Sequence, residues 1–195
     1  GLGLRAAALL VERGATCVLL ASRSGRVVRD GQGLDAQLRS LGAAAEVVAC
    51  DSAESSETRA LLSSAHPLAG VLHAAGAGDR GLLSALRPPT VRWMFASKAV
   101  GASHLHCALA TSPLETKLLY SSVGSGLGNV GQANYAAGNA CLDALALSRR
   151  AHGVVACCLQ WPLVGGAGMG AVAVAAIAER RASIASKAGL TDISL

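Results

Sequence analysis

Continuous apolar runs alternate along the chain with longer segments whose apolar residues recur at helical spacing. The runs lack the period-two alternation of a half-buried strand, so they predict strands that are covered on both faces. They are Cys17–Ala21, Glu46–Cys50, Gly70–Ala74, Lys117–Tyr120 and Val154–Gln160. Buried strands separated by helices indicate the α/β class, with a Rossmann-like, doubly wound parallel sheet.

The segments between these runs predict helices, because their apolar residues repeat every three to four positions. They are Arg5–Arg13, a helix ending at Leu41, Ser55–Ser64, Val91–Ala110, Ala133–Arg150 and Ala171–Arg181. Gly14 and Gly42 are natural helix stops, and Pro88 and Pro89 suit the opening of the helix that follows them. No internal repeat or long linker interrupts the pattern, so we predict a single domain over residues 1–195.

Composition narrows the class of protein further. Of the 195 residues, 52% are apolar and 15% are charged, which excludes a disordered chain. No apolar run reaches the roughly 18 residues of a membrane-spanning helix. The net charge of +5 comes from scattered arginines, without the basic cluster and aromatics typical of nucleic-acid binding. We therefore expect neither nucleic acid nor membrane as a partner, and a mild positive field that suits an anionic small molecule.

The cysteines bear on compartment and on metal binding. Six are present, none in C-x-x-C spacing, and most fall in apolar segments. This pattern predicts reduced core cysteines in a cytoplasmic protein. No metal site is expected, because the spacing of metal ligands is absent.

The stretch from Ser121 to Leu145 carries the candidate chemistry. Val123–Gly131 holds four glycines in nine residues, which predicts a sharply bending loop between a strand and a helix. On that helix Tyr135 and Asn139 share one face, because residues four apart are neighbours. Ser122 falls at the carboxyl end of the strand, where open α/β sheets bind their ligands.

A serine and a tyrosine in this arrangement suit carbonyl reduction. A phenol gives a proton to a developing alkoxide when a nearby cation favours the ionised phenol, and a serine hydroxyl can hold the same oxygen. For Tyr135 alone, a half-buried packing role is an equally good interpretation.

Two other segments suggest a dinucleotide site: the glycines at the start of the first predicted helix, and a serine and an arginine that follow the first predicted strand. Gly1-Leu2-Gly3 leads into a helix and resembles the end of a glycine-rich phosphate loop. Ser22-Arg23 stands where NAD-selective folds place an acidic residue, so NADP(H) is favoured through contact with a 2′-phosphate. An exposed, merely solvated Arg23 is the alternative. Asp51, with Ser52, is expected near an adenine edge, although Asp51 also suits a cap for the next helix.

These motifs together resemble a known family. GLGL, LLASRSG, the strand end at Asp51, GVLHAAG, SK in the long helix, SSVGSGLGNVGQANYAAGNACLD and LQW occur in that order over nearly the whole chain. The chain is similar to the ketoreductase domains of polyketide synthases and of animal-type fatty acid synthases, within the short-chain dehydrogenase/reductase superfamily. Ser122 lies 13 residues before Tyr135, Asn139 four after it and Lys98 37 before it, which are the separations found in those ketoreductases.

The resemblance implies roles for these residues. Tyr135 would protonate the ketone oxygen, Ser122 would hydrogen-bond it, and Lys98 would favour the ionised tyrosine. Asn139 would order a relay water or Lys98. NADPH would be the hydride donor, with contacts from Ala74, Ala75, Gly76 and Pro162 in addition to the residues named above. The Gly165–Arg181 segment resembles a mobile lid over the substrate.

Two departures from the family pattern leave the configuration of the alcohol open. Where one stereochemical class has an L-D-D motif, this chain has Gly78-Asp79-Arg80, and where the other has tryptophan it has Leu127. Arg80 is a candidate contact for the phosphopantetheine phosphate, or a solvated loop residue.

The resemblance also predicts that the chain is a fragment. The family's first strand would precede Gly1 and lie between the strands at Cys17 and Gly70, so two strand edges would be left unpaired. An isolated 195-residue polypeptide is then expected to fold poorly or to bind cofactor weakly.

The preferred function is NADPH-dependent reduction of a β-ketoacyl thioester on an acyl carrier protein, in polyketide or fatty acid biosynthesis, within a multidomain synthase. Two alternatives are open. One is a stand-alone NADP-dependent short-chain reductase, and the other is a non-catalytic, structural reductase-like domain.

Overall fold

Strands and helices alternate through the first of two compact units, Gly1–Pro162 and Leu163–Leu195. The structure is a computed structural model and describes residues 1–27, 33–65, 67–78, 81–164 and 179. The elements of the first unit are α1 (Leu2–Glu12), β1 (Val18–Ser22), α2 (Leu34–Ser40), β2 (Ala45–Ala49), α3 (Ser55–Ser64), β3 (Gly70–His73), α4 (Pro88–Phe95), α5 (Gly101–Ala108), β4 (Thr116–Ser122), α6 (Gly124–Leu127), α7 (Ala133–Ala151) and β5 (Cys157–Trp161).

The strands form two parallel sheets. β1 pairs with β2, and β3, β4 and β5 form a second sheet in that order. This architecture confirms the predicted Rossmann-like α/β class with parallel strands. Within the described residues, β1 and β3 are not paired with each other. The break falls where the sequence predicted unpaired edges, although the fragment hypothesis itself stays a prediction.

Helix α7 packs on the three-stranded sheet and forms the main core cluster. Leu119 from β4 and Leu142 from α7 are fully buried, and Ala102, Ala146 and Ala156 fill the space around them. Alanine on facing surfaces lets a helix and a sheet approach closely at crystal-like packing density. Truncation of Leu142 to alanine would cost about 2–5 kcal/mol, since a cavity would remain.

The long helix predicted over Val91–Ala110 differs from the structure in one respect. Helix α4 begins at Pro88, and α5 ends at Ala108, but residues Ala96–Val100 between them form a π-helical turn. A π turn accommodates one residue more than the α-helical path and commonly occurs at functional sites. The predicted glycine-rich loop Val123–Gly131 likewise contains the short helix α6, which ends at Gly128 with φ +68°.

Two further expectations differ from the structure. The strand predicted from Val154 begins only at Cys157, because Val154 N–H and the Val155 carbonyl are bound to Arg149 at the end of α7. The prediction of core cysteines is wrong for four of the six: Cys17, Cys107, Cys141 and Cys157 are exposed. They lie on outward faces of helices or at strand ends, which an apolar run does not distinguish from inward ones. The cytoplasmic location stays a prediction.

Three predictions fall outside the described residues. They concern the helix Ala171–Arg181 and the lid Gly165–Arg181, of which only residue 179 is described, and the loop residues Asp79 and Arg80. In the described part of the chain, no helix has the length and apolar character needed to cross a membrane. The same residues contain no cluster of histidine, cysteine, aspartate and glutamate suited to a metal ion.

Candidate active site

One face of α7 carries the candidate tyrosine and asparagine. Tyr135, Asn139 and Asp143 follow one another at intervals of four residues along the helix, so they form a line on one side of it. Gly138 lies within this segment, and a Cβ added there would meet Met94 Cγ at 3.6 Å and Lys98 Cδ at 3.7 Å. These are ordinary van der Waals distances, so α7 packs at Gly138 against the helix that carries Lys98 with room for a methyl group.

The π-helical turn directs Lys98 into the protein, towards Tyr135. The lysine is only 4% exposed, and its Nζ donates a hydrogen bond of 3.3 Å to the Tyr120 carbonyl on β4. The same Nζ lies 5.6 Å from the centroid of the Tyr135 ring. A Cβ added at Gly76 would lie 3.3 Å from both Cε and Nζ of Lys98. The ammonium group is thus enclosed by the β3 end, β4 and α7.

Burial lowers the pKa of Lys98 to about 8, while Cys158 and Asp143 act in the opposite direction. A lysine with a pKa of about 8 is mostly protonated at neutral pH and loses its proton as the pH rises through 8. A perturbed lysine beside a tyrosine and at the end of a parallel sheet is typical of a functional site.

Ser122 ends β4 and is half-buried. Its Oγ accepts a hydrogen bond of 3.2 Å from the Gly124 N–H at the start of the following turn. Its neighbour Ser121 points inward and donates to the Asn139 carbonyl at 3.3 Å. Among the described residues no acceptor for the Ser122 hydroxyl proton is found, and Ser122 lies at the carboxyl end of β4.

Asn139 is fully buried. Its side-chain Nδ2 donates to the Tyr135 carbonyl one turn earlier, at 2.8 Å. Its Oδ1 is buried and has no hydrogen-bond partner among the described residues. The amide is thus anchored by its nitrogen and presents an acceptor beside α7, in keeping with the predicted role of ordering a donor.

The structure brings Tyr135, Asn139 and Lys98 into one cluster, with Ser122 at the adjoining strand end. In the described part of the chain, no hydrogen bond joins the Ser122 hydroxyl to the Tyr135 hydroxyl.

Two predicted cofactor segments border this cluster. Ala74, Ala75 and Gly76 follow β3 directly, and Gly76 contacts Lys98 as described. Pro162 follows Trp161, which is the register partner of Ser122 and accepts a hydrogen bond of 3.1 Å from the Val123 N–H. Both segments therefore lie at the carboxyl ends of strands.

The amino-terminal glycines lie at the start of α1. The Gly1 carbonyl accepts the N–H groups of Leu4 and Arg5, and Leu2 is the first residue of the helix. A Cβ at Gly3 would meet the Ala74 Cβ at 3.2 Å. An alanine at position 3 would therefore crowd the Ala74 side chain, because the first turn of α1 packs directly on the residue that follows β3.

A cavity of about 320 Å³ adjoins the end of β1 and is lined by Gly1, Leu20, Ser22, Arg26, Leu38 and Val47 among others. A second, shallow cavity beside it is lined by Ser22, Arg23, Ser24 and Arg26. Sequence reasoning singled out Arg23 but missed Arg26, which was one arginine among many. Its signal is the short S-R-S-G-R turn that holds both.

Asp51 and Ser52 have well-defined partners within the protein. The Asp51 carboxylate accepts the Ala53 N–H at 3.0 Å, which fixes the turn before α3. Asp51 does not cap that helix, because the N-cap of α3 is Glu54 and no side chain makes a capping hydrogen bond there. The Ser52 carbonyl is the partner of His104 Nδ1 at 3.0 Å. Both residues follow β2, and no contact with the cavity at β1 is needed to explain them.

Comparison with known proteins agrees with this geometry. The family model of the KR domain matches residues 1–166. Polyketide synthase GfsB of Streptomyces halstedii is 45% identical over 158 residues, which are 80% of this chain and 3% of the synthase. The first ketoreductase of the tylosin PKS superposes with a TM-score of 0.76 at 37% identity, over 86% of this chain and 37% of that one. An A-type ketoreductase from a modular polyketide synthase superposes with a TM-score of 0.79 at 36% identity, over 88% of this chain and 37% of that one.

The fold and these superpositions define the class as the Rossmann-like short-chain dehydrogenase/reductase proteins. Within that class, the chain belongs to the KR domain family. The resemblance predicted from the sequence is thereby confirmed. The chain spans only about 3% of the length of GfsB and 37% of the tylosin ketoreductase chain.

Proposed function

We propose that this chain reduces a β-ketoacyl thioester to the β-hydroxyacyl thioester, with NADPH as hydride donor. The substrate would be tethered to an acyl carrier protein, and neighbouring synthase domains would be the other partners. The observation that carries the proposal is the Lys98 ammonium, buried beside the Tyr135 ring at the end of a parallel sheet. Relatives named as polyketide synthases favour polyketide over fatty acid biosynthesis.

Each residue of the cluster has a chemical task in this proposal. The Tyr135 hydroxyl gives its proton to the ketone oxygen, and the Ser122 hydroxyl donates a hydrogen bond to the same oxygen. The Lys98 ammonium stabilises the phenolate that Tyr135 becomes, because opposite charges attract strongly in a site with little water. Asn139 Oδ1 accepts a hydrogen bond from the group that returns a proton to Tyr135.

The residues present fit a nicotinamide dinucleotide. The cavity of about 320 Å³ at the end of β1 is lined by Gly1, at the start of α1, and by Ser22 and Arg26, so a helix N-terminus and a guanidinium group border a space where a dinucleotide would lie. Gly1, Leu2 and Gly3 would face the pyrophosphate at the helix start. Ala74, Ala75, Gly76 and Pro162 would face the nicotinamide end, and Asp51 with Ser52 the adenine end. Bound NADPH would supply the hydride.

The preference for NADPH over NADH rests on two arginines. Arg23 and Arg26 line the same cavity at the end of β1 with Ser22 and Ser24, and no acidic residue is in that turn. Guanidinium groups bind phosphate through paired hydrogen bonds. Arg23→Asp should therefore weaken NADPH binding at least tenfold and leave NADH binding equal or tighter, as measured by cofactor fluorescence. Equal losses for both cofactors would contradict the assignment.

The test of the function is NADPH oxidation with a β-ketoacyl N-acetylcysteamine thioester, for the protein and for Tyr135→Phe. We expect turnover that falls by at least 10²-fold in the variant, since the acid is lost, while NADPH binding is retained. Chiral analysis of the product would then assign the alcohol configuration. A folded, NADPH-binding protein without turnover would favour the structural alternative, and turnover of free ketones alone would favour the stand-alone reductase.

A further inference from the structure

Asp143 lies at the centre of a polar cluster that joins α7, the α6 turn and β5. Its Oδ2 accepts hydrogen bonds from Ser125 Oγ at 2.6 Å and from Gln160 Nε2 at 2.8 Å, and its Oδ1 accepts one from Cys158 Sγ at 3.0 Å. Gln160 also donates to Ser125 Oγ at 3.0 Å. An acidic residue on an exposed helix face would not collect donors from two other elements.

The cluster keeps Asp143 negatively charged. Burial alone would raise the pKa of its carboxyl, but the hydrogen bonds from Cys158, Ser125 and Gln160 lower it. The Cys158 thiol next to it stays protonated, because burial and the neighbouring carboxylate raise its pKa to about 12. At neutral pH, Asp143 is therefore the anion of this cluster.

Lys98 is surrounded by few charges. The titratable groups that face it are His73 from β3, Tyr135 and Asp143 from α7, and Cys158 from β5. His73 is neutral at pH 7, since burial, followed by the Lys98 charge, lowers its pKa to about 4. Cys158 is neutral as well, for the reason given above. Asp143 is therefore the one among these groups that carries a full negative charge, and it acts to raise the pKa of Lys98.

We propose that Asp143 is a positioning residue of the reducing site: its carboxylate holds Lys98 in the charged form, and its bond to Ser125 fixes the turn that follows Ser122. The inference deepens the proposed function and rests on it for its catalytic meaning. The two parts act on different members of the site, so they can be separated by two substitutions.

Asp143→Asn removes the charge but keeps an oxygen acceptor of the same shape. Loss of a facing anion disfavours the ammonium form, so the midpoint of the Lys98 titration should fall by roughly half to one pH unit. The measurement is a ¹³C NMR titration of protein with labelled lysine Cε. The chain has three lysines, Lys98, Lys117 and Lys187, and the signal missing in Lys98→Met assigns Lys98.

Lys117 is the internal control for this titration. It is also buried, with a pKa of about 8, but Asp143 is not among the groups that shift it. In Asp143→Asn its titration should stay where it is. An unchanged Lys98 midpoint, or equal shifts of Lys98 and Lys117, would overturn the charge part of the proposal.

Ser125→Ala removes the tether, together with the Ser125 Oγ contact to the Ser122 carbonyl at 2.9 Å, and leaves the carboxylate charged. The Lys98 titration should then stay in place, because Gln160 and Cys158 still donate to Asp143. Amide exchange at Leu127, whose N–H binds the Val123 carbonyl at 3.0 Å, should become several-fold faster. Exchange at the core residue Leu142 should not change. Equal protection of Leu127 in both proteins would overturn the tether part.

Kinetics link the inference to the proposed reaction. In Asp143→Asn the alkaline limb of kcat/KM should move to lower pH together with the Lys98 titration, whereas Ser125→Ala should lower kcat without moving that limb. If the Lys98 titration moves in Asp143→Asn but the alkaline limb of kcat/KM does not, the catalytic role of the charge is overturned. A protein with no turnover on ketoacyl thioesters would count against the proposed function, and the NMR and exchange results would still decide the structural inference.

Discussion

Two buried lysines lie at opposite ends of the same strand region and respond to burial in the same way. Lys98 is 4% exposed and reaches the carbonyl of Tyr120 near the carboxyl end of β4. Lys117 is 0% exposed and is the second residue of β4, at its amino end. Burial, as the leading cause, lowers the pKa of each to about 8.

Their surroundings differ. Lys98 has a carbonyl acceptor and an aromatic ring beside it, and the charge of Asp143 raises its pKa. Lys117 Nζ has no hydrogen-bond partner among the described residues, and the charge of Arg149 lowers its pKa further, while Cys107 acts in the opposite direction. Arg149 in turn contacts His106 Nδ1 at 2.6 Å. A lowered lysine pKa therefore does not identify a functional site until the partners of the lysine are considered.

The largest expected effect is on the activity of Lys98→Met. Removal of the ammonium leaves the Tyr135 phenolate without a facing cation, so kcat/KM should fall by about 10³-fold. Stability should change by no more than about 1 kcal/mol, because the lost hydrogen bond is offset by the relief of a buried charge. NADPH oxidation and urea unfolding measure the two effects, and a comparable loss of activity in Lys117→Met would remove the contrast between the lysines.

The next effect is on stability and belongs to Lys117→Met. A depression of the pKa from 10.5 to about 8 corresponds to roughly 3 kcal/mol of destabilisation at neutral pH. A methionine of similar length should therefore raise the free energy of unfolding by about 2–3 kcal/mol, with activity unchanged within about twofold. A destabilised variant in urea unfolding would mean that the ammonium has a favourable partner after all.

The pH dependence of unfolding checks the same claim without a substitution. A lysine whose pKa is lower in the folded state destabilises the protein below that pKa, and the penalty is relieved as pH rises through it. Between pH 8 and 9 each of the two lysines should add roughly 1 kcal/mol to the free energy of unfolding. Lys117→Met should lose about half of this rise, and an unaltered slope would contradict the low pKa of Lys117.

The smallest effects come from two glycines that contact Lys98. Gly76→Ala places a Cβ 3.3 Å from Nζ, which should displace the ammonium and lower kcat/KM by about tenfold, or roughly 1.4 kcal/mol. Gly138→Ala places its Cβ 3.6 Å or more from its neighbours. It should cost less activity and raise stability by about 0.5–1 kcal/mol, because alanine favours a helix. The reverse order of activities would mean that the β3 end does not confine Lys98.

The strand ends and the candidate cluster were predictable from the sequence for simple reasons. Buried parallel strands are continuous apolar runs, and Ser122, Tyr135 and Asn139 follow one of them at separations that a strand, turn and helix convert into proximity. Lys98 was predicted by resemblance to the ketoreductases alone, because nothing in the spacing of a distant helix shows which strand it covers.

What the sequence did not reveal depends on tertiary partners. Asp143 looks like an ordinary solvated acid on α7 until β5 brings Gln160 and Cys158 against it. Lys117 begins an apolar run in the sequence, and only the tertiary structure shows that its side chain is fully buried. The π-helical turn has no signal of its own, because the apolar residues around Ala96–Val100 fit either helical period.

The π-helical turn at Ala96–Val100 also has a consequence for the alignment of sequences. One extra residue rotates everything after the turn by about 100° relative to an uninterrupted α-helix. Met94 before the turn and Gly101 after it are both buried, so the helix packs against the rest of the protein on both sides of the turn. A relative that supplies its lysine from another position does not need the extra residue in this helix. We therefore expect its sequence to show a one-residue gap where it is aligned with Lys98, and its helix to be α-helical throughout.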